Sequence, residues 1–312
     1  MVRGSKGRIA VVLSCSLLTA ASAQDWEGPE MLGSTLWMQR APEFRAIAEQ
    51  TYRLASQQLA APAPGSAAIE QQGVAPEVLA RMPTAVVLDL DETVLDNTVY
   101  QARLLHDRAT YDAKSWGEWV GAGKADAIPG AREFIATARR LGHSVFYVSN
   151  RDCSAPPATA ADPCPAKTST MRNLVELGID PRPDPSHMLL RGERPEWNNS
   201  LKTLRRSFVA ANYRIVALLG DDLGDFIDPK AFAADRERLE HRFGVSWFVL
   251  PNPIYGSWTN PYPKLEDKYA GLNIEAPILE LPGGGPWNDK STRVRVASWN
   301  VEYLMTPETH RA

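Results

Sequence analysis

Asp89 and Asp91 stand two residues apart at the end of an apolar run, in Val86-Val-Leu-Asp-Leu-Asp-Glu-Thr-Val-Leu-Asp-Asn97. Alternate residues of an extended chain share a side, so both carboxylates point together at the strand's carboxyl end. Open α/β sheets bind ligands at that edge. Two neighbouring anions repel unless a cation lies between them or one keeps its proton. The pair therefore points to a divalent metal and to acid–base chemistry. Two further apolar runs end in polar residues, one in Ser149, Asn150 and Arg151, the other in Gly220, Asp221, Asp222 and Asp225, while Lys202 opens a helical stretch. If these strands are parallel, their ends share one edge. Three carboxylates, a lysine and a hydroxyl meeting there form a site for Mg²⁺ and a phosphoryl group, because hard oxygens suit Mg²⁺ and the lysine neutralises phosphate.

The elements that must position these groups follow from periodicity. Apolar strands are expected over 85–90, 144–149, 187–190, 214–219 and 245–250, separated by helices over 131–141, 167–177 and 201–211. Buried strands alternating with helices describe an α/β fold, a parallel sheet covered on both faces. Residues 36–59 carry apolar positions at helical spacing and predict one amphipathic N-terminal helix, followed by a Pro/Ala/Gln linker over 60–73. The interval 97–130, with Tyr100, Tyr111, Trp116 and Trp119, is long for a plain loop and reads as a functional lid. The tail 283–312 has no clear period and no assigned role. His143, just after a helix-stopping glycine, reads as a surface residue.

Composition bounds the rest. The 312 residues are 44% hydrophobic and 23% charged, which is globular. Arg3, Lys6 and Arg8 precede an apolar run and an Ala21-Ser-Ala23 site, the pattern of a cleaved signal over 1–23. Its removal takes three positive charges and no negative ones, so the net charge moves from −3 to −6. An acidic chain is a poor ligand for a nucleic-acid polymer. Cleavage after Ala23 discards Cys15; in the alternative reading Cys15 carries a lipid and holds the chain at a membrane. Cys153 and Cys164 remain, and in an exported protein this pair predicts a disulfide, with two free thiols as the alternative.

Asp89-Leu-Asp-Glu-Thr93, Ser149-Asn150, Lys202 and Gly220-Asp221-x-x-x-Asp225 resemble the four motifs of the haloacid dehalogenase (HAD) superfamily. In detail they resemble its class C, DDDD-type (subfamily IIIB) bacterial acid phosphatases and 5′-nucleotidases of the lipoprotein acid phosphatase family. Leu36-Trp-Met-Gln-Arg40, Leu95-Asp-Asn97, Trp116-x-x-Trp119, Ile128-Pro-Gly130, Phe146 to Arg151, Leu250-Pro-Asn252 and Tyr255-Gly256 look like that family too. The resemblance implies a HAD-like Rossmannoid sheet over 83–282 with a small helical cap at about 97–130, after an N-terminal helical segment over 24–82. It implies a secreted, periplasmic Mg²⁺-dependent acid phosphatase acting on small phosphomonoesters, 5′-nucleotides among them. Asp89 would be the nucleophile, forming an aspartyl-phosphate, and Asp91 the proton donor and then the base. Mg²⁺ would be held by the Asp89 and Asp221 carboxylates and the Asp91 backbone carbonyl. Ser149 and Lys202 would bind phosphoryl oxygens, Asn150 would assist, and Asp225 would orient Lys202. Aromatics at positions resembling Trp116 and Tyr255 sandwich a base in that family; the alternative is that they only pack the cap. Asp222 departs from the family's usual non-acidic residue, so metal contact and a supporting place both stay open for it. The alternative for the whole chain is a non-catalytic HAD-fold storage or binding protein, such as the plant vegetative storage proteins, whose members can lack the nucleophile present here as Asp89.

Overall fold

The computed structural model describes residues 28–154, 159 and 161–272; the expected signal, Cys15 and the 283–312 tail lie outside them. The chain opens with α1 (Gly28–Arg40) and α2 (Pro42–Ala60). These two helices replace the single one expected over 36–59. Pro42 bars the helical conformation from the residue before it, and Ala41 is accordingly extended (φ −75°, ψ 126°), so Pro42 starts a new helix instead. The expected linker is packed rather than free. Buried Gln71 donates to the carbonyls of Ala210 (2.8 Å) and Tyr213 (2.9 Å) and accepts from the Ile215 N–H (3.2 Å).

After a short helix α3 (Pro76–Leu79), β1 (Thr84–Leu88) enters the core. The cap follows: β2 (Leu95–Asp96), α4 (Thr98–Asp107), α5 (Ala113–Ala122) and β3 (Asp126–Ala127), with β2 and β3 paired antiparallel. Then come α6 (Ala131–Arg140), β4 (Ser144–Asp152), α7 (Pro165–Glu176), β5 (Met188–Arg191), α8 (Thr203–Ala210), β6 (Arg214–Gly220) and β7 (Trp247–Val249). All five strands of the main sheet are parallel, in the order β5-β4-β1-β6-β7. This is the α/β sheet flanked by helices that the sequence predicts.

Alternation sorts β1 between two cores. Val86 and Leu88 join the face covered by α2, α6 and the cap, while Ala85 and Val87 join the opposite face with Val209 of α8. The N-terminal helices share the first core through Met38, Phe44, Ala48 and Tyr52. The Tyr52 hydroxyl also donates to the Thr93 carbonyl (2.5 Å), pinning the turn after β1. His143 is buried, not on the surface as its sequence context suggested. Its Nδ1 pairs with Thr84 Oγ1 (2.7 Å), and its Nε2 lies 3.3 Å from the Leu59 carbonyl. Residues 28–261 form one compact unit; Tyr262 begins a second, in which the described residues hold a short helix, Leu265–Gly271.

Candidate active site

From β1 the chain crosses to β4 and β5 on one side, whereas β6 sends it to β7 on the other. Adjacent strands with diverging connections open a crevice at their carboxyl ends. Asp89, whose N–H donates to the Leu219 carbonyl (3.0 Å), and Asp221, just after β6, sit at that crevice. β1 ends at Leu88 rather than Leu90. The Leu90 carbonyl instead accepts the N–H groups of Val94 and Leu95 (both 2.8 Å), closing a tight turn that carries Asp91 and Thr93.

Lys202 sits at the N-cap of α8, not inside a helix from 201, and its ammonium bridges the Asp89 and Asp225 carboxylates, the latter at 2.5 Å. All three side chains are at most 8% exposed. One oxygen from each of Asp89, Asp221 and Asp225 lies within 4.8 Å of the others. Asp221 is fixed by Thr93 Oγ1 (3.0 Å) and Asn252 Nδ2 (2.9 Å). Asp225 is tucked against Gly220, where a Cβ would stand 2.1 Å from Asp225 Oδ2, so only glycine fits. Burial pushes Asp89 up to about 7 against the pull of Lys202, with Asp225 and Asp91 adding to the rise. Burial likewise raises Asp221 well above the carboxylate range, helped by Asp225 and Asp89. Burial alone would lower Lys202, but Asp225 and Asp89 outweigh it and hold its proton firmly.

The Asp91 carboxylate is held by Arg151 (Nη2 2.8 Å) and Asn97 (Nδ2 2.9 Å), which is compatible with the expectation that only its backbone carbonyl takes part in a metal site. Asp222 is occupied as well: its oxygens accept the N–H groups of Gly224 (2.7 Å) and Ser257, anchoring the loop after β6. It braces the loop, and the grouped acids are Asp89, Asp221 and Asp225 without it.

These groups line a cleft of about 800 Å³ that also takes in Asn150, Trp116 and Tyr255. Ser149 lies beneath it, fully enclosed, its Oγ accepting the Arg151 N–H (3.1 Å). The Asn150 side chain is spent on the Ser200 carbonyl (3.1 Å) and Arg205 Nη2 (2.7 Å). Trp116 and Tyr255 are half-buried, and Trp116 meets Tyr100 edge-on at 5.1 Å. Trp119 is buried away from the cleft, its Nε1 donating to Asn97 Oδ1 (2.8 Å), so it steadies Asp91 through Asn97. Cys153 and Cys164 are joined in a disulfide.

Sequence reasoning missed two residues here. Buried Arg205 donates to the Ser149 carbonyl and fixes the end of β4 from α8; one of two adjacent arginines in an amphipathic helix gives no hint of that. Buried Glu92, at φ 58°, accepts the Asn97 N–H (2.9 Å) inside the turn; burial, then Asp91 and Asp221, raise it well above its usual value. Its motif position between Asp91 and Thr93 was the available signal.

With all four ionised, the carboxylates Asp89, Asp91, Asp221 and Asp225 would outnumber their paired cations Lys202 and Arg151 by two, an imbalance in keeping with the raised Asp89 and Asp221. An all-oxygen donor set with that imbalance fits a hard divalent cation.

Residues 34–258 match the family model of the HAD superfamily, subfamily IIIB (acid phosphatase). Among solved structures, the class C acid phosphatase from Bacillus anthracis is 27% identical, with a TM-score of 0.63 over 79% of this chain and 98% of that one. The stem 28 kDa glycoprotein of Glycine max is 26% identical over 169 residues, 54% of this chain and 58% of that protein. Acid phosphatase 1 of Solanum lycopersicum is 25% identical over 172 residues, 54% of this chain and 57% of that protein. The chain thus spans little more than half the length of these curated relatives. With all four motifs gathered at one crevice and the match running through both core and cap, the chain belongs to the HAD superfamily, subfamily IIIB, the class C acid phosphatases.

Proposed function

We propose that this chain is a secreted, periplasmic phosphomonoesterase that hydrolyses small phosphate esters, 5′-nucleotides among them, through a phosphorylated Asp89. The observation that carries the reading is the Lys202 ammonium set between Asp89 and Asp225 at the floor of an open cleft. A carboxylate nucleophile splits one hard transfer into two easier ones. Asp89 attacks phosphorus while Lys202 and the Asn150 backbone hold phosphoryl oxygens, with the Ser149 hydroxyl close beneath. Asp91 gives a proton to the departing alcohol and then takes one from the water that frees the phosphate. Asp225 keeps Lys202 in place. Asp89, Asp221 and the Asp91 carbonyl would hold Mg²⁺, which supplies positive charge to the phosphoryl oxygens. The Cys153–Cys164 disulfide supports an oxidising compartment.

Turnover of p-nitrophenyl phosphate is expected to vanish in chelator and return with Mg²⁺, and Mg²⁺ is expected to raise Tm at pH 7.5 by relieving the buried charge excess. Full activity in chelator would sink the metal-dependent reading. The half-buried Trp116 and Tyr255 at the cleft favour an aromatic leaving group, since ring faces stack on any base. Trp116→Ala is expected to raise KM for a nucleoside 5′-monophosphate by about tenfold and to leave KM for a small aliphatic phosphate little changed. Equal shifts for the two substrates would assign Trp116 to cap packing.

A further inference from the structure

The proton carrier Asp91 belongs to a separate network from Lys202, and that network has an asymmetry. Asp91 Oδ1 accepts three donors: Arg151 Nη2 (2.8 Å), Arg151 Nε (3.0 Å) and Asn97 Nδ2 (2.9 Å). Oδ2 receives only the longer contact from Arg151 Nε (3.3 Å). An oxygen already saturated by donors cannot carry a proton, so Oδ2 is left to do so.

Arg151 is itself held from two directions. It lies where the register of β4 against β5 breaks, between Ser149 and Asp152, a bulge that re-aims side chains out of the ladder. Its remaining Nη1 donates to Thr170 Oγ1 (2.8 Å), and Thr170 in turn donates to the Ala166 carbonyl (2.6 Å) on α7. The helix α7 begins directly after Cys164, which is bonded to Cys153, two residues past Arg151. The disulfide thus staples the strand end that carries Arg151 to the helix that carries its anchor. Both residues border the cleft, but the Arg151 side chain is 1% exposed and the Asp91 side chain 16%, so a substrate meets Asp91 first and Arg151 acts through it.

We propose that Arg151 is a positioning residue for proton transfer: braced by Thr170 and the Cys153–Cys164 staple, it occupies Asp91 Oδ1 so that Oδ2 carries the proton to the leaving oxygen. This rests on the phosphatase reading above. As the bond from Asp89 to phosphorus forms, the ester P–O bond breaks, its electron pair stays on the departing oxygen, and the proton from Asp91 Oδ2 joins that oxygen. The carboxylate left behind is matched by the guanidinium fork. Lysine offers a point charge in place of that fork.

The test is leaving-group dependence, which a purely structural role would not move. Benzyl phosphate and p-nitrophenyl phosphate both carry a ring for the cleft, but benzyl alkoxide needs a proton to leave and p-nitrophenolate does not. The ratio of their kcat/KM values reports the first half-reaction, in which the proton is delivered. In Arg151→Lys that ratio is expected to fall by ~10- to 100-fold, since misplacing a reacting group by about 1 Å costs on that order. Thr170→Val is expected to lower it in the same direction by a few-fold, with Thr170→Ser restoring it. Should Arg151→Lys fail to fold, the Thr170 pair decides. An unchanged ratio in the folded variants overturns the proposal, even where overall activity drops. Hydrolysis of both esters by the wild type tests the phosphatase reading separately.

Discussion

Asp89→Asn is expected to lower kcat for every phosphate monoester by at least ~10⁴-fold, with the fold retained. Asparagine matches aspartate in shape but cannot attack phosphorus, and Lys202 keeps Asp225 as a partner. A second readout comes from linkage. In the metal-free protein Asp89 sits at about 7, above its ordinary 3.8, so between those values the native state holds a proton that the unfolded chain has lost. Its contribution to stability is complete below the unfolded value and is lost as pH rises through about 7. The Asn variant should lack that part of the decline in Tm between pH 4 and 7 in chelator. Retained turnover would remove Asp89 as nucleophile; an identical pH slope would remove the buried-acid account.

Lys202→Met is expected to damage both stability and catalysis. The ammonium is the shared partner of two buried carboxylates, so its loss leaves Asp89 and Asp225 facing each other uncompensated, which costs about 3–5 kcal/mol at neutral pH. Loss of a preorganised charge on the phosphoryl oxygens costs a further ~10²–10³-fold in kcat. Urea midpoints and steady-state rates at pH 7.5 measure the two effects. Lys202→Arg restores the charge but spreads it over a planar fork, so it should recover stability more than rate. A Met variant with unchanged midpoint and rate would show that the bridge has neither role.

Much of the site was legible because its parts sit at strand ends. Asp89, Asn150 and Asp221 each follow an apolar run, and parallel pairing brings such ends to one edge whatever the details of packing. Element limits were less legible. The helix break at Pro42 was present as a residue type but overlooked beneath a continuous apolar period. The strands at 188–191 and 247–249 are shorter than, or offset from, their apolar runs because pairing, not composition, sets where a ladder stops.

The sequence by itself determined which chemistry is present: the carboxylates, the lysine, the aromatic cap and the cysteine pair are local facts of type and spacing. Only the tertiary structure decided which partner each carboxylate meets. Asp89 and Asp91 are equivalent by spacing, but Lys202 reaches one from α8 and Arg151 reaches the other from a bulge in β4. Asp222 and Asp225, three residues apart, part in the same way, one bracing backbone N–H groups and the other holding the lysine. The partner that distinguishes each acid comes from a distant segment, between 23 and 113 residues away for the ion pairs. At such separations only packing brings charges together, and the electrostatic difference between like residues is settled there.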